Sequence, residues 1–418
     1  MKDLNLKIAI AGNVDSGKST LAGVLLNNCL DDGKGLCRRM ILKNKHEQET
    51  GRTSTITNNS YVNIKDNNRI ITSLIDLAGH EKYLKTTMTG ITGSFVDYGL
   101  VLVGANMGVT KMTKEHIALL LFLNIPIIIL ITKIDMSPEE IKQVTVKRIK
   151  KLISLPAFNK KAFHFNENES TCKKEVEEIR KISNFYDTYI PIINVSNKSG
   201  QNIDNLKELI LDLKPRYPWK EEVKGSIMYI DSKFNVKGIG IVLSGTLRGS
   251  SVKINDKLNL GPIDNKFIPV KVRSIHNNVR ENINELNDNE VGCLAIRFVG
   301  KDILTRDQIK RGVVLLSDDN LVKNVRRKFK ANITILNHST TISDSYQPVI
   351  HCGMVRQSAK VKILSKNDDN STSLKLRTGD KATVEFKFVY SSEYIEKGTT
   401  FFFRDGTTKG YGSILELL

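Results

Sequence analysis

The strongest constraint on how this 418-residue chain folds is one nonapeptide, Gly12-Asn13-Val14-Asp15-Ser16-Gly17-Lys18-Ser19-Thr20, which carries the spacing G-x-x-x-x-G-K-S. The apolar run 7–11 ahead of it suits a buried parallel strand, and Leu21, Leu25 and Leu26 behind it repeat at helical spacing. Strand, glycine-rich turn and helix is the context in which backbone wraps a phosphate. Glycines remove side-chain clashes, and successive N–H groups and the helix N-terminus face the anion. In such a turn Lys18 reaches the β- and γ-phosphates, and the Ser19 hydroxyl ligates Mg2+.

Residues 1–213 alternate strand-like apolar runs with amphipathic helical patterns, the signature of an α/β domain on a parallel sheet. Three stretches narrow the nucleotide to GTP. The strand 70–75 ends in Asp76-Leu77-Ala78-Gly79-His80, a D-x-x-G that sets a carboxylate near the metal and the Gly79 N–H near the γ-phosphate. The strand 127–131 runs into Thr132-Lys133-Ile134-Asp135, where Asp135 can accept from guanine N1–H and N2–H2, a donor pair that adenine lacks. Lys133 can lay its stem across the base, while Thr132 stands where this motif usually has Asn, so a weaker hold on the loop is expected. The strand 192–195 leads to Ser196-Asn197-Lys198, whose backbone N–H groups would contact guanine O6. Between the P-loop and Asp76, the polar, basic segment 31–59 suits a mobile switch over γ-phosphate and Mg2+, with Thr53 and Thr55 as candidate hydroxyl ligands.

Composition adds a partner class. Lys and Arg outnumber Asp and Glu by 63 to 45, a net charge of +18 that favours polyanions, RNA first. The 40% hydrophobic content is enough for true cores. Five cysteines (Cys29, Cys37, Cys172, Cys293, Cys352) with no C-x-x-C argue against a disulfide framework or a structural zinc site and fit a reducing compartment. The first residues lack a secretory h-region, and the apolar run 117–131, broken by Asn124 and Pro126, is too short to span a bilayer; a cytoplasmic protein with no membrane role is expected.

After Lys214-Pro215-Arg216-Tyr217-Pro218-Trp219, read as an interdomain linker, the helical period vanishes. Residues 225–317 show short alternating segments punctuated by Gly238, Gly240, Gly245 and Gly249, which suggests a closed β-barrel. The pair Gly238 and Gly240 lacks the third glycine and the following helix of a dinucleotide site. The basic run 323–330 reads as a hinge with phosphate-contacting charges, and from Phe329 to Leu418 the strand pattern resumes as a second barrel.

Taken in order, these motifs resemble a translational GTPase of the elongation factor 1-alpha and elongation factor Tu superfamily. The strings His46-Glu47-Gln48-Glu49-Thr50-Gly51-Arg52-Thr53-Ser54, 79–87 and Met112-Thr113-Lys114-Glu115-His116 look most like the GTP-binding protein 1 and 2 family within it. The resemblance implies an α/β P-loop GTPase domain followed by two antiparallel β-barrel domains, over residues 1–214, 221–318 and 327–418. It implies GTP hydrolysis with His80 orienting the attacking water, and GTP or GDP held by residues 12–20, 76–80, 132–135 and 196–198. Ser19, Thr55 and Asp76 would serve Mg2+, the last through water, and Asp15 a monovalent cation. Val14 would supply one leaf of a hydrophobic gate on the histidine; Ser54 replaces the isoleucine of the other. His276 falls in the barrel region that holds the aminoacyl end of tRNA in those factors, and Arg404 to Gly410 looks like a closing hairpin near the tRNA T-arm. The implied partners of this expected monomer are aminoacyl-tRNA or another RNA, the ribosome, and an exchange factor or RNA-decay machinery. The alternatives are a GTP-dependent adaptor in mRNA turnover or ribosome quality control and, further off, the GTPase subunit of sulfate adenylyltransferase.

Overall fold

The computed structural model describes residues 2–42, 57–156, 158–216, 223–301, 303–338, 340–344, 346–366, 375–406 and 408–418. The chain divides into two compact units, Met1–Ile91 with Val96–Arg216, and Thr92–Phe95 with Tyr217–Leu418.

In the first unit the elements run β1 (Lys2–Gly12), α1 (Lys18–Asn27), α2 (Leu36–Ile41), β2 (Thr57–Lys65), β3 (Asn68–Asp76), α3 (Leu84–Gly93), β4 (Tyr98–Gly104), α4 (Lys111–Phe122), β5 (Ile127–Thr132), α5 (Glu139–Ile153), β6 (Lys161–His164), α6 (Glu169–Ile179), α7 (Phe185–Thr188), β7 (Tyr189–Asn194) and α8 (Ile203–Asp212). They form one seven-stranded sheet in the order β2-β3-β1-β4-β5-β7-β6. The apolar runs that read as strands are its centre, because a strand covered on both faces can be apolar at every position. Leu6, Ile8 and Ile10 of β1, Leu100 and Leu102 of β4, and Ile128 and Leu130 of β5 share one core with Leu21, Val24 and Leu25 of α1 and Leu206 and Ile210 of α8. Each such side chain contributes about 1.5–3 kcal/mol on full burial.

Two expectations change. The sheet is mixed, not parallel: β2 pairs antiparallel with β3, from Thr57 opposite Asp76 to Lys65 opposite Asn68. The reversal occurs at Asp66 and Asn67, both in the left-handed region (φ 49° and 59°), the two-residue turn whose twist matches a hairpin. The polar segment 31–59 is not loop throughout, since α2 lies inside it. The N-cap of α2 is Gly35 (φ 86°), and Asp32 Oδ1 accepts the N–H groups of Lys34 and Leu36 at 2.7 and 3.1 Å, so a carboxylate satisfies the first N–H of this helix. At the far end of the unit, buried Asp97 accepts Lys7 N–H and Arg216 N–H, each at 2.7 Å. That fixes the first three linker residues to β1 and β4; Tyr217 to Trp219 lie outside the described residues. Among the described residues no helix is long and apolar enough to cross a membrane.

The second unit holds two closed antiparallel barrels of six strands each. The first ring runs Ser226–Val236, Gly240–Gly249, Val291–Phe298, Lys266–Asn277, Lys257–Ile263 and Val314–Leu316. Alternate residues point inward, among them Met228 and Ile230, Leu243, Val270 and Val272, Leu294 and Ile296. Gly245 does not mark a turn as expected but lies mid-strand, where an added Cβ would sit 2.0 Å from the Tyr229 carbonyl; it permits close strand approach beside a register shift. The second ring runs Lys328–Asn337, Lys381–Phe388, Val355–Lys366, Val349–Cys352, Thr400–Asp405 and Thr408–Leu417. Phe329, Phe386, Phe388, Phe401 and Phe403 fill it. The basic run is not a free hinge: Arg327 donates to the carbonyls of Phe388 and Val389, and Lys328 and Lys330 pair with Glu385 and Glu416 at 3.3 and 2.8 Å.

The barrels join through buried polar groups. Arg248 of the first pairs with Glu396 of the second, and the hydroxyls of Tyr229 and Tyr394 donate to the same carboxylate at 2.7 and 3.1 Å. Nearby, buried Glu393 accepts from Gln357, and burial pushes its carboxyl up from 4.5 to about 7, against the pull of Gln357, Ser391 and Lys310. An acid raised in the folded state contributes stability below its unfolded value and loses it as pH rises through the folded one. Unfolding of the barrel unit should therefore become easier from pH 4.5 to 7, by on the order of 3 kcal/mol from this group. In Glu393→Gln the urea midpoint should flatten across that window, and an unchanged slope would refute the assignment.

Candidate functional site

The sequence-marked residues meet at the C-terminal edge of β1, β3, β5 and β7, where α/β sheets bind ligands. β1 ends at Gly12 (φ 150°), and a Cβ there would lie 2.5 Å from the Leu102 carbonyl of β4. The chain then winds through Asp15 (φ 59°) to Gly17 (φ 88°), which opens α1. Ser16 N–H and Oγ both donate to the Asn13 carbonyl, at 3.3 and 2.8 Å, closing the turn. Thr20 lies in the first turn of α1, and Val14 is half-buried.

Lys18 is buried, and its Nζ donates to the Asn13 carbonyl at 2.8 Å, folded back over the loop. Burial holds its ammonium below the usual lysine range, while Asp76 and Asp15 pull the other way. A charge so placed is suited to a multiply charged anion. Ser19 Oγ donates to Asp76 Oδ2 at 2.6 Å, so hydroxyl and carboxylate stand side by side. Beyond Asp76 the chain continues along β1, with Leu77 N–H on the Ile10 carbonyl at 3.1 Å. Thr87 of α3 donates to the Ala78 carbonyl at 2.9 Å and anchors this turn. Gly79 passes so close to the P-loop that a Cβ would fall 2.4 Å from Lys18 Nζ and 2.7 Å from the Gly12 carbonyl. His80 is exposed, and its Nδ1 accepts Lys82 N–H at 3.1 Å. Thr53, Ser54 and Thr55 lie outside the described residues.

The base-side loops are tied together. Thr132 holds its loop through its buried hydroxyl, which donates to the Ser16 carbonyl at 2.7 Å and clamps the β5 loop to the P-loop. Thr132→Val should cost about 0.5–1.5 kcal/mol in thermal stability of this unit, and Thr132→Asn should recover it. Lys133 takes a left-handed conformation (φ 61°) and starts a short 3-10 turn over Ile134–Met136. Asp135 is exposed and accepts from Ser196 Oγ at 2.7 Å; the same oxygen accepts the N–H groups of Lys198 and Ser199 at 3.3 and 3.1 Å. Ser196 thus fixes the carboxylate and the shape of its own loop at once. The Asn197 carbonyl accepts Asp31 N–H at 2.9 Å, joining this loop to the segment after α1. Among the described residues no group of three or more His, Cys, Asp or Glu could hold a metal.

Sequence reasoning gave His116 no role. It sits fully buried on α4, with no hydrogen-bond partner for either ring nitrogen among the described residues. Burial, then the charge of Lys18, lowers it to about 3, so it is neutral near pH 7 and adds no repulsion to the phosphate side. Only the string Met112 to His116 hinted at it. His276 belongs to the second unit, half-buried in the first barrel opposite Cys293 and Asn282, and in the second barrel Arg404 and Asp405 pair with Lys409 and Thr408.

The family described as elongation factor Tu GTP binding domain matches residues 4–216, and elongation factor Tu C-terminal domain matches 322–418. GTP-binding protein 1 of Xenopus laevis is 38% identical across 99% of this chain and 64% of that protein, so the chain spans under two thirds of its length. GTP-binding protein 2 of Homo sapiens is 33% identical across 99% of the chain and 69% of that protein. In fold, the chain resembles translation elongation factor SelB from Methanococcus maripaludis in complex with the GTP analogue GppNHp, with a TM-score of 0.71 at 24% identity, over 100% of this chain and 80% of that one.

Proposed function

Because this chain belongs to the elongation factor Tu family of GTPases, we propose that it hydrolyses GTP to GDP and phosphate while carrying aminoacyl-tRNA or a tRNA-like RNA to the ribosome. What supports the nucleotide half is one observation. Four loops from one sheet edge are bonded to each other, through Thr132 to Ser16, Ser196 to Asp135 and Ser19 to Asp76, with Gly79 against Lys18.

In this reading residues 12–20 cradle the phosphates, and Lys18 neutralises the β- and γ-oxygens. Ser19 and Asp76 set hard oxygen atoms side by side, a pair that fits Mg2+: Ser19 would hold the ion with Thr55 and the phosphates, and Asp76 would act through water. When bound, that ion supplies charge neutralisation between the β- and γ-phosphates. His80 offers Nε2 to the attacking water, and an activating partner, the ribosome, fixes the ring. Asp135, Lys133 and residues 196–198 select guanine. Hydrolysis frees the Gly79 N–H and the segment 31–59 from the γ-phosphate, and the barrels release RNA. The reading places the chain in the cytoplasm, and its net charge of +18 favours a polyanionic cargo.

The test is spontaneous hydrolysis of the aminoacyl-tRNA ester with the protein loaded with GTP or with GDP. Slower ester loss with GTP alone is expected. Equal or absent protection, with nucleotide binding intact, would overturn delivery and leave the adaptor in RNA turnover.

A further inference from the structure

Two thiols have no part in the nucleotide chemistry, yet the fold brings them together. α1 ends at Asn27, Asn28 turns the chain with a left-handed φ of 49°, and Cys29 follows. Asp31 then organises the return: its Oδ1 accepts Cys37 N–H and its Oδ2 accepts Gly33 N–H, both at 3.0 Å. With Asp32 accepting the first N–H of α2, the Cys37 Cβ lies against Gly23 of α1. Gly23 of α1 allows the approach, since a Cβ there would lie 2.2 Å from the Cys37 carbonyl. The result is a Sγ to Sγ distance of 3.4 Å, with Cys29 half-buried and Cys37 fully buried. The other cysteines are dispersed, Cys172 on α6 and Cys293 and Cys352 in different barrels.

We propose that Cys29 and Cys37 are a reversible modification site, a dithiol that closes to an intramolecular disulfide when the chain meets hydrogen peroxide. The half-buried Cys29 is the sulfur an oxidant reaches. Cys37 is fully buried, out of an oxidant's reach, and burial, then the neighbouring Cys29 thiol and the Asp31 and Asp32 carboxylates, push its thiol up, so Cys37 takes the resolving role. In the first step the Cys29 sulfur, as thiolate, attacks one peroxide oxygen. The O–O bond breaks, Cys29 becomes a sulfenic acid, and the departing hydroxide takes a proton to leave as water. In the second step the Cys37 sulfur attacks the Cys29 sulfur, the S–OH bond breaks, and the Cys37 proton leaves with the hydroxyl as a second water. Two thiols have lost two electrons, and one peroxide has become two waters.

Closure draws the sulfurs from 3.4 Å to about 2.05 Å and pins the turn between α1 and α2. That turn carries Asp31, whose N–H holds the Asn197 loop. Short-lived bonds of this kind are the form that disulfides take in reducing compartments.

The experiment treats the full chain, freed of reductant, with hydrogen peroxide, removes the peroxide, unfolds the chain in denaturant, blocks residual thiols with iodoacetamide, and maps peptides without reduction. The expected product links the Cys29 and Cys37 peptides, and dithiothreitol restores both thiols. In Cys29→Ser the link is lost and Cys37 stays alkylatable. In Cys37→Ala, Cys29 persists as a sulfenic acid that dimedone captures, which separates resolution from any packing loss. The proposal falls if both thiols of the wild type stay alkylatable, if Cys29 runs on to sulfinic acid without joining Cys37, or if the link forms between chains.

Discussion

Replacing Lys18 by alanine is expected to raise the dissociation constants for GTP and GDP by about 30- to 5,000-fold, the equivalent of the 2–5 kcal/mol lost when one partner of a buried charge pair is truncated. The same substitution should leave the ligand-free protein at least as stable as before. The ammonium is buried against its preference; among the described residues it donates to the Asn13 carbonyl, and the charges of Asp76 and Asp15 pull in its favour. Alanine removes that desolvation penalty, so the site trades stability for affinity. Calorimetric titration with GDP and thermal melts with and without GDP check both signs. The melting temperature without nucleotide should hold or rise, and the increase on adding GDP should vanish. A ligand-free melt that falls while GDP still binds would mean that Lys18 is structural.

The second large effect concerns the base. Asp135→Asn should weaken GTP by about 10²–10⁴-fold, because two hydrogen bonds to a charged acceptor, each worth about 1.5–3 kcal/mol, are lost or misdirected. It should strengthen xanthosine triphosphate in the same assay. Xanthine keeps N1–H but carries a carbonyl in place of the N2 amine, so an amide that accepts with Oδ1 and donates with Nδ2 matches it. Ser196 supports the exchange, since its hydroxyl donates to Oδ1 and can do so to either side chain. Competition of GTP, inosine triphosphate and xanthosine triphosphate against a fluorescent nucleotide measures the reversal. Unchanged GTP affinity would remove Asp135 from base recognition.

Much of this site is legible in the sequence because anion binding makes local demands on backbone. Gly12 and Gly17 must adopt conformations that side chains resist, and Gly79 must clear the P-loop. The barrels are legible from alternation, as in Phe401 and Phe403, which point inward on either side of Phe402. What escapes is pairwise and non-local. The hydroxyl of Thr132 is uninformative until the Ser16 carbonyl is known to lie 2.7 Å away. The six residues of α2 are too few to show a helical period, and the Asp32 carboxylate that accepts its first N–H reads equally as a turn. The antiparallel edge strand β2 was signalled only by Asp66-Asn67, a turn dipeptide without the usual glycine. Arg248 and Glu396, far apart in the chain, meet only after both barrels close.

The strand order also sets a timetable for synthesis. β5 lies between β4 and β7, and among the described residues β6, made earlier than β7, pairs with β7 alone. As the chain leaves the ribosome, Ile127–Thr132 therefore waits with one bare edge until Tyr189–Asn194 arrives to cover it. At roughly 5–20 residues per second that is an interval of several seconds. The waiting edge is almost wholly isoleucine and leucine, the composition most prone to adding a foreign strand. Between those two points the chain carries α5 and α6 with their dense lysines and glutamates, so the nascent segment remains highly charged while its sheet is incomplete.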